Sequence, residues 1–333
     1  MLHRHLTLNQ SQRWCLPALE DIILRGNLSE WLDLLQTLAE DSSKEIARKI
    51  QSLCASNPDA AEQSYRFFEQ YLHAGTVKNW EASSVVSWTE TVLNALQCPD
   101  NMKTTDWEQI LSAASMLQQR LPDAVLVGGT AAALHAQHRI SYDADHVVSN
   151  LRERFEAVLA DLESVSGWQT ARVRRPVLIL GSLEGIETGV RQLIRNRPLE
   201  TEVIQVKGQS IVIPTIAEML RIKTLLVLKR NATRDYIDVA ALSATMGLAA
   251  SVEALLPMDA YYPQSIEGSV RQQVLRQLAA PLPYDLDGTD LSIYKKLDLQ
   301  WQSWQNVSGQ CVQLTQSLAQ KLLQQKRSRD PGL

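Results

Sequence analysis

An α+β fold, with a strand-rich middle between two helical regions, is predicted for this 333-residue chain by three observations. Apolar residues recur at helical intervals from Ser11 to about Gln119. Short β-branched runs broken by turn residues follow, and beyond Gly247 the helical spacing returns. The length and the 45% hydrophobic content are enough for a sizeable core shared among two or three domains. We place these at 1–118, 119–247 and 248–333.

In the first region Trp31, Leu32, Leu34, Leu35 and Leu38 form a helical stripe, with breaks at Asn27-Leu28-Ser29 and Asn57-Pro58-Asp59. Asp59 is a plausible N-cap for a helix carrying Tyr65, Phe67, Phe68 and Tyr71, an aromatic stripe that reads as core packing. The pattern changes near Leu121-Pro122. Ala124-Val125-Leu126-Val127 then reads as a short buried strand that stops at Gly128-Gly129-Thr130. After a short helix come strand-like runs at 141–148, 169–173, 177–180, 190–194, 201–206 and 211–213. Pro214-Thr215-Ile216-Ala217-Glu218 opens the next helix, with Thr215 and Glu218 at capping-box spacing. The last region is helical, interrupted at Pro281-Leu282-Pro283 and Asp287-Gly288, and is expected to fray at Lys326-Arg327-Ser328-Arg329.

Composition narrows the function classes. No run of about eighteen apolar residues occurs, and Met1-Leu2-His3-Arg4-His5 lacks a signal-peptide core, so a cytoplasmic protein without membrane insertion is expected. Cys15, Cys54, Cys98 and Cys311 are too scattered for a C-x-x-C zinc pair or a disulfide framework and read as buried thiols. There is no H-E-x-x-H motif, although His135 and His138 can share a helical face. The net charge of -4 is uneven: residues 1–120 hold 10 Lys+Arg against 15 Asp+Glu, and residues 121–250 hold 15 against 14. The acidic first region therefore suits a protein partner better than RNA. Arg172, Arg174, Arg175, Arg191, Arg195 and Arg197 form either a phosphate-binding patch or a solvated sheet edge.

Four segments carry chemistry. Gly128-Gly129-Thr130, between a strand and a helix start, is either a cradle for phosphate oxygens or simply a tight connection. Asp143-Ala144-Asp145 lies in a strand, so both carboxylates point the same way; such a pair suits a hard cation, Mg2+ or Mn2+. Lys223 sits in the apolar stripe of Ile216, Met219, Leu220, Leu226 and Val227, where it either snorkels outward or reaches inward toward triphosphate. Asp235 and Asp238 share a helical face. They either pair with Arg230 or Arg234, or Asp235 serves as a base at the substrate end with Arg234 on a phosphate.

In combination, Gly128-Gly129-Thr130, His138-Arg139-Ile140-Ser141-Tyr142-Asp143-Ala144-Asp145, Lys223 and Arg234-Asp235-Tyr236-Ile237-Asp238 resemble the AbiEii/AbiGii-type nucleotidyltransferase toxins of the DNA polymerase β-like superfamily. The resemblance spans roughly residues 121–245. It implies a mixed sheet with helices, and a nucleotidyltransferase that uses Mg2+ or Mn2+ and an NTP. It also implies nucleotide binding by Gly128, Gly129, Thr130, Lys223 and Arg234, metal binding by Asp143 and Asp145, and an acceptor beside Asp235. RNA, including tRNA ends, is the implied acceptor, and a cognate antitoxin the implied partner. Many superfamily enzymes carry a third carboxylate on a later strand; here glycine takes its place, with Glu187 two residues earlier as the substitute metal ligand. The alternatives are a catalytically silent nucleotide- or protein-binding module, or an enzyme that nucleotidylates protein.

Overall fold

The computed structural model describes residues 14–25, 28–40, 44–56, 107–195, 197–206, 208–264 and 268–329. The chain divides into two compact units, residues 8–104 and residues 105–333. In the first unit, α1 (Leu16–Arg25), α2 (Leu28–Glu40) and α3 (Glu45–Ser56) bury Leu19, Ile22 and Ile23, Leu34, and Ile50 and Leu53 respectively. These positions are three and four apart, as an amphipathic helix requires. The aromatic stripe of Tyr65, Phe67, Phe68 and Tyr71, its Asp59 cap, the Asn57-Pro58-Asp59 break and Cys98 lie outside the described residues. Cys15 and Cys311 are buried, as expected, and outside any disulfide, whereas Cys54 is only partly buried.

The second unit opens with α4 (Trp107–Arg120), β1 (Val125–Leu126), α5 (Gly128–Ala136), β2 (Asp143–Val148) and α6 (Leu151–Glu163). A hairpin series follows: β3 (Trp168–Arg174), β4 (Leu178–Leu183) and β5 (Ile186–Gln192). These strands form a mixed sheet in the order β1-β2-β5-β4-β3, in which β2 and β5 run parallel and the other neighbours antiparallel. The strand expected at 190–194 is the end of a longer one. Glu184 (φ 51°) and Gly185 (φ 78°) make a two-residue turn from β4 into β5, and left-handed φ at both positions is the turn that matches strand twist.

Pairing fixes which side chains share a face, because directly opposed residues point the same way. Val148, Val190, Ile179, Leu183 and Trp168 face one side, where Leu117 and Leu121 near α4 and Leu151, Phe155, Val158, Leu159 and Leu162 of α6 complete the core. The other face carries Asp143, Glu187, Ser182 and Gln169 in one row across the strands. Asp145, Gly189, Leu180 and Arg172 form the next row, and Val147, Arg191, Leu178 and Arg174 the third. At its β2 end this face receives α5.

A two-stranded ribbon, β6 (Thr201–Val206) with β7 (Gln209–Pro214), leads to α7 (Ile216–Arg230) and α8 (Thr233–Met246). Thr215 accepts from the Glu218 amide at 3.2 Å, but the other half of the expected capping box is not made. The Glu218 carboxylate turns instead to Arg195 (2.7 Å) and Arg221 (3.0 Å), and the Thr215 amide donates to the Glu200 carbonyl at 2.8 Å. A buried acid is held where two guanidiniums offset its desolvation. Next come α9 (Leu248–Leu255), α10 (Met258–Tyr261), α11 (Val270–Ala279) and three short 3-10 turns. The closing α12 (Trp304–Arg329) packs on α8, α9 and α11. This helix runs through Lys326–Arg329, the segment expected to fray. Among the described residues no single helix is long and apolar enough to cross a membrane; α8 and α9 pass that test only as a pair bent by 118°.

Candidate functional site

The carboxylates of β2 stand at the mouth of the strand-to-helix turn. Gly128 enters α5 with φ 79°, a left-handed conformation that favours glycine, and Val127 provides no side-chain cap for the helix. A Cβ on Gly128 would lie 3.6 Å from the Asp145 Cβ. Gly129 is tighter still: a Cβ there would stand 2.5 Å from Ser141 Oγ and 2.8 Å from an Arg139 guanidinium nitrogen. Thr130 is fully buried, and its hydroxyl donates to the Asp143 carbonyl, fastening α5 to β2. Asp143 is buried and accepts from the Ser141 hydroxyl through Oδ1.

Glycine stands on β5 opposite Asp145, where the space for a side chain is tight. Gly189 pairs with Asp145, and a Cβ at Gly189 would stand 2.6 Å from Leu180 Cδ2 and 3.0 Å from the Ile179 carbonyl oxygen. Glu187 pairs with Asp143 and is half-buried, so the three carboxylates share one face of adjacent strands roughly 4.8 Å apart. Their donor chemistry suits a hard divalent cation. Among the described residues no group of three His, Cys, Asp or Glu side chains forms a metal-binding cluster.

Beneath the turn lies a buried charge network. Arg139 directs its fork at Asp238, with Nε 2.8 Å from Oδ1 and the terminal nitrogen 3.0 Å from Oδ2. Lys223 Nζ lies 2.6 Å from Asp238 Oδ2 and 3.7 Å from Asp235 Oδ1. His138 Nε2 shares Asp238 Oδ1 at 2.7 Å. Burial would push the Asp238 carboxyl up, but Arg139 and Lys223 outweigh it and hold it well below the usual carboxylate range. Burial likewise works against the Arg139 cation, yet Asp238 and then Asp143 keep its pKa raised. His138 is lowered by burial, which leaves it neutral at pH 7. Among the described residues neither Asp235 oxygen has a hydrogen-bond partner, although the residue is fully buried.

The predicted residues thus fall into one connected set: Asp145 against Gly128, Asp143 on Ser141 and electrostatically coupled to Arg139, Arg139 on Asp238, and Asp238 on Lys223. Lys223 does not snorkel, and Asp238 pairs across the fold with Arg139 and Lys223 where Arg230 or Arg234 had been the local expectation. Arg234 is buried in the first turn of α8. His135 and His138 do not share a helical face, because α5 ends at Ala136 and Gln137 turns left-handed (φ 51°). Sequence reasoning gave no role to Arg139 or Ser141, yet the period-two alternation Arg139, Ser141, Asp143, Asp145 could have found them.

No protein-family model matches the chain. It is 33% identical over 140 residues to the heme uptake protein MmpL11 of Mycobacterium tuberculosis, a match covering 40% of this chain and 13% of that protein. It is 30% identical over 135 residues to the mycolic acid-containing lipids exporter MmpL11 of Mycolicibacterium smegmatis, covering 38% and 13%. The chain therefore spans 13% of the length of these curated relatives. Among solved structures it is similar to JHP933 from Helicobacter pylori, with TM-score 0.42 and 14% identity, over 69% of this chain and 99% of that one. It is also similar to an antigenic nucleotidyltransferase-like protein from Paracoccidioides brasiliensis, with TM-score 0.38 and 16% identity, over 57% and 94%. At this level of similarity neither structure carries a statement about this chain.

Proposed function

We propose that residues 121–245 form a metal-dependent nucleotidyltransferase that moves a nucleoside monophosphate from an NTP to an acceptor hydroxyl, with RNA, including tRNA ends, as the acceptor. One observation carries the reading: Arg139 lies against the glycine turn, is influenced electrostatically by Asp143, and pairs with Asp238, which also holds the buried Lys223. Gly128, Gly129 and Thr130 would place helix-terminal amides against phosphate oxygens, with Lys223 and Arg234 offsetting triphosphate charge. Asp143 and Asp145, with Glu187 beside them, would hold Mg2+ or Mn2+, which when bound neutralises charge developing on the phosphates. The acceptor oxygen forms a bond to the α-phosphorus, the bond to the bridging oxygen breaks, and pyrophosphate leaves. Asp235, close to Lys223, is proposed to receive the hydroxyl proton. Positioning and charge stabilisation do most of this work. The toxin-like resemblance extends the proposal to a cytoplasmic toxin restrained by a cognate antitoxin.

The test incubates the purified protein with each radiolabelled NTP, Mg2+ or Mn2+ and total cellular RNA. Label should enter RNA with the native protein and not with Asp143→Asn/Asp145→Asn. Label on protein instead would move the acceptor, making the chain a protein-nucleotidylating enzyme. A second reading, a silent nucleotide- or protein-binding module, is favoured by the engagement of the buried Lys223 with Asp238. NTP binding with no transfer to any acceptor would establish it.

A further inference from the structure

We infer that residues 282–298 form a strap that completes the site, and that Asp285 on this strap is a positioning residue for the first turn of α8. This rests on the nucleotidyltransfer reading above and extends the working parts of that same site beyond residue 245. One anchor of the strap lies at the corner between α7 and α8. Ala232 gives α8 no side-chain cap, and the cap comes instead from 52 residues away. Asp285 Oδ1 accepts from the Thr233 amide at 2.8 Å and from the Thr233 hydroxyl at 2.7 Å. Both residues are buried, and a carboxylate at this end of a helix is favoured by the helix dipole. Around them the Asn231 side-chain amide donates to the Leu282 carbonyl at 2.9 Å, and the Tyr284 amide donates to the Asn231 carbonyl at 3.0 Å.

The second anchor brackets Arg139. The Ile140 amide donates to the Lys295 carbonyl at 3.0 Å, and the Asp298 amide donates to the His138 carbonyl at 2.9 Å. Lys295 Nζ stands 4.0 Å from the centre of the Tyr142 ring, just before β2. Arg139 itself reaches Asp238 of α8. A closed circuit results, from the strap to the backbone beside Arg139, through its side chain to Asp238, and along α8 to Thr233 and Asp285. The first turn of α8 holds Arg234 and Asp235, assigned above to phosphate and acceptor. A local cap would account for the bonds at Thr233 but not for the bracket at Arg139. A strap that fixes α8 against the α5–β2 connection uses both, and a displacement of about 1 Å at reacting groups is enough to cost about a hundredfold in rate.

The experiment compares Asp285→Ala, Asp285→Asn and a destabilised control on the far face of the sheet, Leu162→Ala, all as full-length protein shown to be folded by circular dichroism. Asparagine keeps an oxygen acceptor at Oδ1, and alanine does not. The first readout is amide hydrogen exchange in peptides covering residues 138–142 and 233–238. Asp285→Ala should exchange roughly tenfold faster in both, while Asp285→Asn and Leu162→Ala stay within about threefold of the native protein. The second readout is label transfer. Asp285→Ala should lower kcat roughly tenfold or more with KM for the NTP within about twofold, and Asp285→Asn should restore kcat. Where Asp285→Ala does not fold, Thr233→Ala replaces it; it removes the hydroxyl bond, keeps the amide bond, and should shift both readouts the same way by less. Faster exchange confined to 233–238, an equal loss in Leu162→Ala, or no rescue by Asp285→Asn would each overturn the strap. Absence of transfer by the native protein would instead sink the chemistry, and exchange at 138–142 then decides the strap alone: acceleration supports it, and native rates overturn it.

Discussion

Asp238 is fully buried and charged, a combination that persists only because Arg139 and Lys223 close on it from α5's far end and from α7. Asp238→Ala would leave both cations buried without their shared partner. Breaking such a pair from one side costs about 3–5 kcal/mol, so the urea midpoint should fall sharply, and less for Asp238→Asn, which keeps hydrogen-bonding capacity. A midpoint within error of wild type in Asp238→Ala would mean that the network contributes nothing to stability. The sequence made the shared face of Asp235 and Asp238 legible, because helical spacing is local. It did not reveal their partners: Arg139 stands 99 residues from Asp238, and local spacing nominates only neighbours within a turn.

At the scale of elements, strand existence was readable from β-branched runs, and β6 falls at Thr201–Val206 as the sequence indicated. Boundaries were harder. β5 begins at Ile186 because the Glu184-Gly185 turn, which only φ values identify, folds the chain back at once. The same strand carries the glycine beside Asp145, which spacing alone presented as a missing ligand. A Cβ at Gly189 would stand 2.6 Å from Leu180 Cδ2, a side-chain end that can move, and 3.0 Å from the Ile179 carbonyl oxygen, tighter than an ordinary contact. Gly189→Asp should therefore fail to supply a third carboxylate. Overpacking there costs about 1–3 kcal/mol, so thermal denaturation should show a lowered midpoint with no gain in label transfer. A variant as stable as wild type with faster transfer would show that the strand can accommodate the side chain. Glu187, already facing the site, is the ligand to test: Glu187→Gln should slow transfer while leaving the melting midpoint nearly unchanged, and an unaltered rate would remove it from the metal site.

For the molecule as a whole, acid sensitivity should appear in two separate pH windows. His146, on the core face of β2, is fully buried, and desolvation drives its pKa from 6.5 down to about 4. The folded chain therefore keeps this ring neutral while the unfolded chain protonates it below about pH 6.5. Stability is undiminished above that value and falls as pH drops toward 4. At pH 5 the loss amounts to about 2 kcal/mol from this residue, a sizeable part of a typical domain's stability of about 5–15 kcal/mol. Burial lowers His138 in the same direction, so its contribution is lost over the same descent. Asp238 acts elsewhere: held well below the usual range, it stabilises above its unfolded value near 3.8 and is lost only in stronger acid. Urea titrations at pH 7 and pH 5 should separate the two, with His146→Asn shrinking the pH 7-to-5 difference by about 2 kcal/mol and Asp238→Asn leaving it in place. If His146→Asn kept the full difference, the acid sensitivity would have to come from His138 or from outside the sheet's core.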